Sequence, residues 1–254
     1  MIRIVFIGFG NVNYHLCSTL YNMSNVSVNQ IYNRNKVEIK SVLKSIPVTS
    51  QLSKIEEADI YIIGIPDDVV GSFSETLPFK NRLVVHTSGG VAMEVLSKQN
   101  RSGVFYPLQT FSKERVVDFK EIPICVEAEN ASDLKLLKTL GETISEKVVE
   151  INSEERAKLH LAAVFVNNFV NHLYRVGHEI TSENNLQFDL LQPLIAETAR
   201  KIETLTPSEA QTGPAKRNDL KTIEKHLHLL KDSSHKELYQ QLTQAIQKTY
   251  GKKL

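Results

Sequence analysis

Several polar residues lie along one apolar segment, Lys158-Leu-His160-Leu-Ala-Ala-Val-Phe-Val-Asn167-Asn168-Phe-Val-Asn171-His172-Leu-Tyr174. At about 100° per residue, a helix puts His160, Asn167, Asn171 and Tyr174 on one face, with Asn168 within roughly a quarter turn of it. The apolar positions between them call for burial, and buried polar groups need partners. Such a stripe therefore either hydrogen-bonds a neighbouring helix or lines a cavity that holds a ligand. Delivery of hydride to a carbonyl or imine also requires a proton at the heteroatom, and histidine is the side chain best matched to that task near neutral pH. His160 is the candidate acid or base, and Asn168 a candidate for orienting a substrate oxygen or a water. For Asn171 and His172 an interhelical role is the expectation. A second polar cluster is Thr212-Gly213-Pro214-Ala215-Lys216-Arg217-Asn218-Asp219. Either Arg217 and Asp219 brace each other at a helix start, or Arg217 faces a substrate carboxylate or cofactor phosphate while Asp219 holds it. His226 could belong to either arrangement.

Chemistry of that kind needs a hydride donor, and the first residues of the chain can hold one. The β-branched run Ile2-Arg3-Ile4-Val5-Phe6-Ile7 ends at Gly8, turns through Gly10 and enters a helix predicted over Asn11 to about Asn22. In this strand–turn–helix, Gly8 permits the tight turn and Gly10 lets a pyrophosphate reach the backbone. The N–H groups of Asn11 and Val12 then meet it at the helix N-terminus. The third fingerprint position is Asn13, where glycine or alanine is usual. About twenty residues on, where a carboxylate would select NAD, a second strand (Val28 to Tyr32) ends in Asn33-Arg34-Asn35. Arg34, with Asn33 beside it, suits a 2′-phosphate, which argues for NADP over NAD.

Further strands are expected at Ile46 to Val48, Ala58 to Ile65, Arg82 to His86, Gly103 to Tyr106, Ile122 to Val126 and Lys147 to Ile151. Helices are expected over Lys36 to Ser45, through Met93 and Leu96, and over Ala131 to Leu140. Asp67 and Asp68 read as N-terminal caps, with a ligand contact as the alternative. Ligands of open α/β sheets sit beyond the carboxyl ends of the strands, which puts Pro66, His86, Ser88 and Gly89 near a nicotinamide. His86 could instead be a strand-end histidine that only holds its loop. The loop Pro107-Leu108-Gln109-Thr110-Phe111-Ser112 looks built to present side chains. After the cap Asn152 and the acidic pair Glu154-Glu155, no strand pattern remains. Helices are expected over Glu154 to Ser182, Leu186 to Leu205, Asn218 to Leu230 and Ser234 to Tyr250. The fold class is α/β: a doubly wound dinucleotide domain, residues 1–152, followed by an all-helical domain, residues 153–254.

Composition limits the alternatives. With 254 residues, a formal net charge of +1 and 23% charged residues, nothing is basic enough for a nucleic-acid partner. No run reaches the length of a membrane span. Residues 2 to 10 lack a signal-peptide cleavage site and already form the first strand. Cys17 and Cys125 read as buried free thiols in a reducing cytoplasm.

Taken in order, Gly8-Phe-Gly10-Asn-Val12, Ile65-Pro66-Asp67-Asp68, His86-Thr87-Ser88-Gly89, Pro107-Leu108-Gln109-Thr110-Phe111, His160-Leu-Ala162-Ala163 with Asn168, Gly213-Pro214 with Arg217 and Asp219, and His226-Leu227 resemble a family of bacterial Rossmann-like proteins. Its C-terminal half is a domain of unknown function. More distantly, the chain is similar to the superfamily of pyrroline-5-carboxylate reductase, ketopantoate reductase and 6-phosphogluconate dehydrogenase. The resemblance implies an NADP-dependent reductase acting on a small molecule in an interdomain cleft, and a homodimer formed through the helical domain. It names no substrate. Tyr106 stands where relatives are expected to carry histidine, and Asn218 where glycine is usual. The rival expectation is a dinucleotide-binding sensor or interaction protein without turnover.

Overall fold

Short apolar runs build the centre of the molecule as strands β1 (Ile2–Ile7), β2 (Val26–Tyr32), β3 (Val48–Thr49), β4 (Ile60–Ile63), β5 (Leu83–His86), β6 (Arg101–Pro107), β7 (Ile124–Ala128) and β8 (Val148–Glu150). They form one sheet in the order β3-β2-β1-β4-β5-β6-β7-β8. The computed structural model describes residues 1–35 and 42–250. All pairings are parallel except β6 with β7. The order reverses between β1 and β4, which opens a crevice beyond Ile7 and Ile63, the place where doubly wound sheets bind nucleotides.

Alternation along the central strands fills both faces of the sheet. Ile4, Phe6, Ile60 and Ile62 pack on one side with Leu16 and Leu20. Val5, Ile7, Tyr61 and Ile63 pack on the other with Val70 and Leu77. A strand covered on both faces must be apolar at every position, as β1 and β4 are from Ile4 onward and throughout. Each such side chain contributes about 1.5–3 kcal/mol on burial. Cys17 and Cys125 are buried free thiols, and burial pushes Cys17 up to about 12.

The helices are α1 (Asn11–Leu20), α2 (Val70–Ser74), α3 (Ala131–Glu142), α4 (Ser153–Ala163), α5 (Val170–Glu183), α6 (Gln192–Lys201), α7 (Pro207–Ala210), α8 (Pro214–Arg217), α9 (Leu220–Leu229) and α10 (Lys236–Tyr250). The fold is Rossmann-like with a helical C-terminal region. Several elements differ from expectation. Of the helix expected at 36–45, residues 36–41 lie outside the described residues, and Val42–Ser45 is a 3-10 turn. The expected helix through Met93 and Leu96 shrinks to one 3-10 turn, Met93–Val95. That chain is held open from outside, because Val91 O accepts from Arg156 and Met93 N donates to Ser153 Oγ. The expected helix over Leu186 to Leu205 breaks into a 3-10 turn, Phe188–Leu191, and α6.

The segment expected to be one helix from Glu154 to Ser182 contains a π-helical turn, Val164–Phe169, between α4 and α5. The chain divides into two compact units there, Met1–Asn168 and Phe169–Leu254, rather than at 152/153. The physical reason is that α4 is tied to the sheet by Ser153, Arg156 and His160. The apolar positions of this segment are not buried as expected: Leu161 is 59% and Val166 72% exposed. Within the second unit, His226 Nδ1 pairs with Tyr239 OH at 2.8 Å, and His235 Nε2 lies 3.0 Å from Glu179 Oε2. Among the described residues, no helix is long and apolar enough to cross a membrane.

Candidate functional site

Gly8 has φ +81, and a Cβ there would stand 2.6 Å from both Gly64 O and Ile65 Cγ2, so the turn accepts no side chain. Gly10 faces open space except for Gly64 O at 3.8 Å from a built Cβ. It is also the N-cap of α1, and no side chain caps that helix. The first-turn N–H groups are therefore available to an anion. The residues present fit the pyrophosphate of a dinucleotide.

Asn13 does not obstruct that approach. It is fully buried, and its Nδ2 donates to Ile7 O at 3.1 Å, Gly8 O at 2.8 Å and Ile62 O at 3.3 Å. Its amide lies on Gly64, where a Cβ would come within 2.5 Å of Asn13 Cγ. A larger residue at the third fingerprint position is thus matched by a glycine on the strand it packs against. Asn11 Nδ2 donates to Phe111 O at 2.9 Å, which leaves its side chain tied to the loop. Val12 packs its side chain against the core.

A groove of about 630 Å³ runs from Gly8 past Tyr32, Asn33, Arg34 and Asn35 to Pro66, Asp68 and Phe73. Arg34 is exposed there. Asn33 lines the groove but acts as a brace: its Oδ1 accepts from Phe9 N at 3.0 Å and its Nδ2 donates to Asn35 O at 2.8 Å. Lys113 donates to Phe9 O at 3.1 Å and adds a cation to the turn.

Beyond β5 the chain assembles a second constellation. Ser88 Oγ donates to Asp67 Oδ2 at 2.8 Å and accepts from Gly90 N and Val91 N, each at 3.1 Å. Asp67 is therefore a loop anchor and not a helix cap; neither it nor Asp68 caps the short helical turn they open. His86, expected near a nicotinamide, is fully buried, and its Nδ1 accepts from Ser88 N at 3.2 Å. Burial, reinforced by the nearby Arg156 charge, pushes its pKa down to about 4, so it stays neutral and holds the loop.

Tyr106 and His160 converge on Gly89. Their Oη and Nδ1 are 3.2 Å apart, and a Cβ on Gly89 would lie 2.5 Å from His160 Nδ1 and 2.7 Å from Tyr106 Cζ. Burial pushes the Tyr106 phenol up to about 12, so it keeps its proton near neutrality. Beside the pair is a cavity of about 330 Å³, lined also by Gln109, Thr110, Asn167, Asn168 and apolar residues. All its lining side chains other than His160 are neutral types. The stripe expected on one helix face is thus divided. His160, Asn167 and Asn168 share the cavity, whereas Asn171, His172 and Tyr174 are exposed residues of the second unit.

Sequence reasoning missed what holds this arrangement. Arg156, 1% exposed, ion-pairs with Glu127, and donates to Val91 O at 2.5 Å and Ser153 Oγ at 3.1 Å. Ser153 in turn donates from its N and Oγ to Glu127 at 2.9 and 2.8 Å. The available signal is a lone carboxylate inside the apolar strand Ile-Cys-Val-Glu127-Ala, and an arginine one helical turn before His160.

Arg217 is exposed at the end of α8 in the second unit. Asp219 does not brace it: its oxygens accept from Thr222 N at 3.1 Å and Oγ1 at 2.7 Å, capping α9. Asn218 has φ 55, the left-handed conformation that explains glycine as the usual residue there and asparagine as a tolerated one.

A family model described as a domain of unknown function, DUF2520, matches residues 122–246. A solved structure from Bacteroides fragilis, described as a candidate NADP oxidoreductase, is 39% identical with a TM-score of 0.90, covering 97% of this chain and 98% of that one. A Thermotoga maritima protein is 21% identical with a TM-score of 0.81, over 98% of this chain and 100% of that one. Pyrroline carboxylate reductase from Plasmodium falciparum, solved with NADP bound, is similar in fold. It is 14% identical with a TM-score of 0.62, over 98% of this chain and 97% of that one. No curated protein matches the sequence.

Proposed function

This chain belongs to the DUF2520 family of Rossmann-like proteins, and from that starting point we propose that it is an NADP-dependent oxidoreductase. Its substrate would be a small, anionic metabolite with a carbonyl or imine to be reduced. The observation that carries this reading is the convergence of Tyr106 and His160 on Gly89, at the carboxyl end of the sheet that also carries the glycine turn. The B. fragilis relative, named for NADP and 39% identical, supports the choice of chemistry.

Bound NADPH would supply the hydride. Gly8, Gly10 and the backbone of Asn11 and Val12 would hold its pyrophosphate, Arg34 its 2′-phosphate, and Pro66, Ser88 and Gly89 the vicinity of the nicotinamide. His160 would serve the site as an acid or base. Asn168 would orient the reacting oxygen or nitrogen, and the Arg217 guanidinium is the expected partner of the anionic group. Exposed Leu190, Leu194 and Leu229 in the second unit, 70%, 63% and 80% accessible, favour a homodimer through the helices. The site of action on this reading is the cytoplasm.

The test is sequential. NADPH binding is followed by nucleotide fluorescence, and oxidation is then measured with pyruvate, benzaldehyde and pyrroline as probes. Binding plus turnover of any probe supports the proposal. Tight binding without turnover of any probe favours a sensor. Sedimentation as a monomer at micromolar concentration defeats the dimer.

A further inference from the structure

Two groups at the site could give a proton to the reduced substrate, and their surroundings are different. Tyr106 is 8% exposed and sits on β6 in a small core with Met93, Val104 and Cys125. Its ring is held in that core, and the residue also lines the cavity shared with Asn168. His160 stands on α4, is half-buried, and has Nδ1 turned towards Tyr106 and Cδ2 near Gly90, 3.6 Å from a built Cβ there. One imidazole nitrogen is therefore engaged with the phenol.

Resting on the oxidoreductase reading above, we propose that Tyr106 hands the proton directly to the substrate heteroatom and that His160 replaces it through the Nδ1–Oη contact. As hydride reaches the substrate carbon, the C=O or C=N π bond breaks and its electron pair goes to the heteroatom. The heteroatom takes the Tyr106 Oη proton. The phenolic oxygen takes the Nδ1 proton of a protonated His160, leaving a neutral imidazole that regains its proton from solvent. One hydride and one proton are consumed, and the protein ends unchanged. A phenol that burial holds up to about 12 retains its proton until an alkoxide or amide anion forms beside it, which suits it to the direct transfer. The half-buried imidazole suits the connection to water.

The first measurement needs no cofactor. In the free protein at one fixed pH, the His160 Nδ1 resonance in nitrogen NMR should move in Y106F relative to the wild type, because its contact with Oη is lost. An unchanged Nδ1 resonance means that the Nδ1–Oη link is absent and overturns the relay. The second uses the NADPH-loaded chain with the probe that turns over. Y106F should lose about a hundredfold or more in kcat while keeping its affinity for NADPH. H160Q should lose less and flatten the pH profile of kcat. Y106F with near wild-type kcat, or H160Q with the larger loss, overturns the assignment and leaves the oxidoreductase reading standing. Failure of the wild type to turn over any probe overturns that reading, and the proton path with it.

Discussion

Gly89→Ala is the most direct probe of the convergence at this site, because the obstacle to it is space and not backbone strain. Gly8 and Gly213 are the described glycines with positive φ, so alanine is compatible with the backbone at Gly89. The added Cβ would stand 2.5 Å from His160 Nδ1 and 2.7 Å from Tyr106 Cζ. Normal contacts between such atoms begin at about 3.5 Å, so the two rings must retreat by roughly 1 Å. A misplacement of about 1 Å in reacting groups costs on the order of 10²-fold in rate. Overpacking adds a stability cost of about 1–3 kcal/mol. Gly90→Ala is the internal control, since its Cβ would meet His160 Cδ2 at 3.6 Å and Asp67 Oδ2 at 3.9 Å, ordinary contacts. With NADPH and a probe that turns over, kcat should fall about a hundredfold in G89A and stay within about threefold of wild type in G90A. Thermal melts of both variants show how much of the loss is stability. If G89A keeps wild-type kcat, or G90A is equally damaged, the rings do not act where this geometry has them.

Three further outcomes are expected. Arg34→Asp should weaken NADPH binding by about 10- to 100-fold, the worth of a charge-assisted contact, and NADH much less; equal loss for both nucleotides defeats the preference. Gly64→Ala should destabilise the chain by about 1–3 kcal/mol in chemical denaturation, because its Cβ would come within 2.5 Å of Asn13 Cγ. In an Asn13→Ala background that cost should shrink by about 1 kcal/mol or more, and strict additivity would disprove the pairing. His86 has a pKa of about 4 when folded against an ordinary 6.5, so between those values the unfolded chain binds a proton that the folded chain refuses. Its contribution is therefore fully present above pH 6.5 and is lost as the pH falls towards 4, by up to about 3 kcal/mol. His86→Gln should be weaker at neutral pH yet lack this part of the acid slope, and parallel stability profiles for the two proteins would refute the assignment.

The central strands were legible because burial on both faces leaves a run of apolar residues that no other element explains. The glycine turn was legible for a similar reason, since Gly8 and Gly10 answer to local backbone geometry. Residues whose role depends on distant partners were harder to place. Asn13 looked like a defect in the fingerprint until Gly64, across a strand pairing, supplied its space. The pattern around Met93 and Leu96 reads as a helix, but Arg156 and Ser153 bind its backbone from sixty residues away. His86 carries the same local signal as a ligand-facing residue, and only its burial decides otherwise. The stripe containing His160 has helical spacing, but a π-helical turn cannot be seen in periodicity at 100° per residue, so the division at Asn168 leaves no mark in the sequence pattern.

Those distant partners share one target, the backbone from Ser88 to Val91. His86 receives the Ser88 N–H from beneath, Asp67 receives the Ser88 hydroxyl from the neighbouring strand end, and Arg156 binds the Val91 carbonyl from α4. Three elements thus fix four residues, and Gly89 among them leaves room for Tyr106 and His160 to lie against bare backbone. Arg156 has a further consequence, because it belongs to the same helix as His160 and its ion pair with Glu127 sets that helix against the sheet. Breaking a buried pair of this kind by removing one partner typically costs about 3–5 kcal/mol, since the other charge stays buried. A buried ion pair is a costly way to attach a helix when apolar contacts would serve. Its directional bonds set the helix that carries His160 in register with the sheet that carries Tyr106, whose Oη lies 3.2 Å from His160 Nδ1.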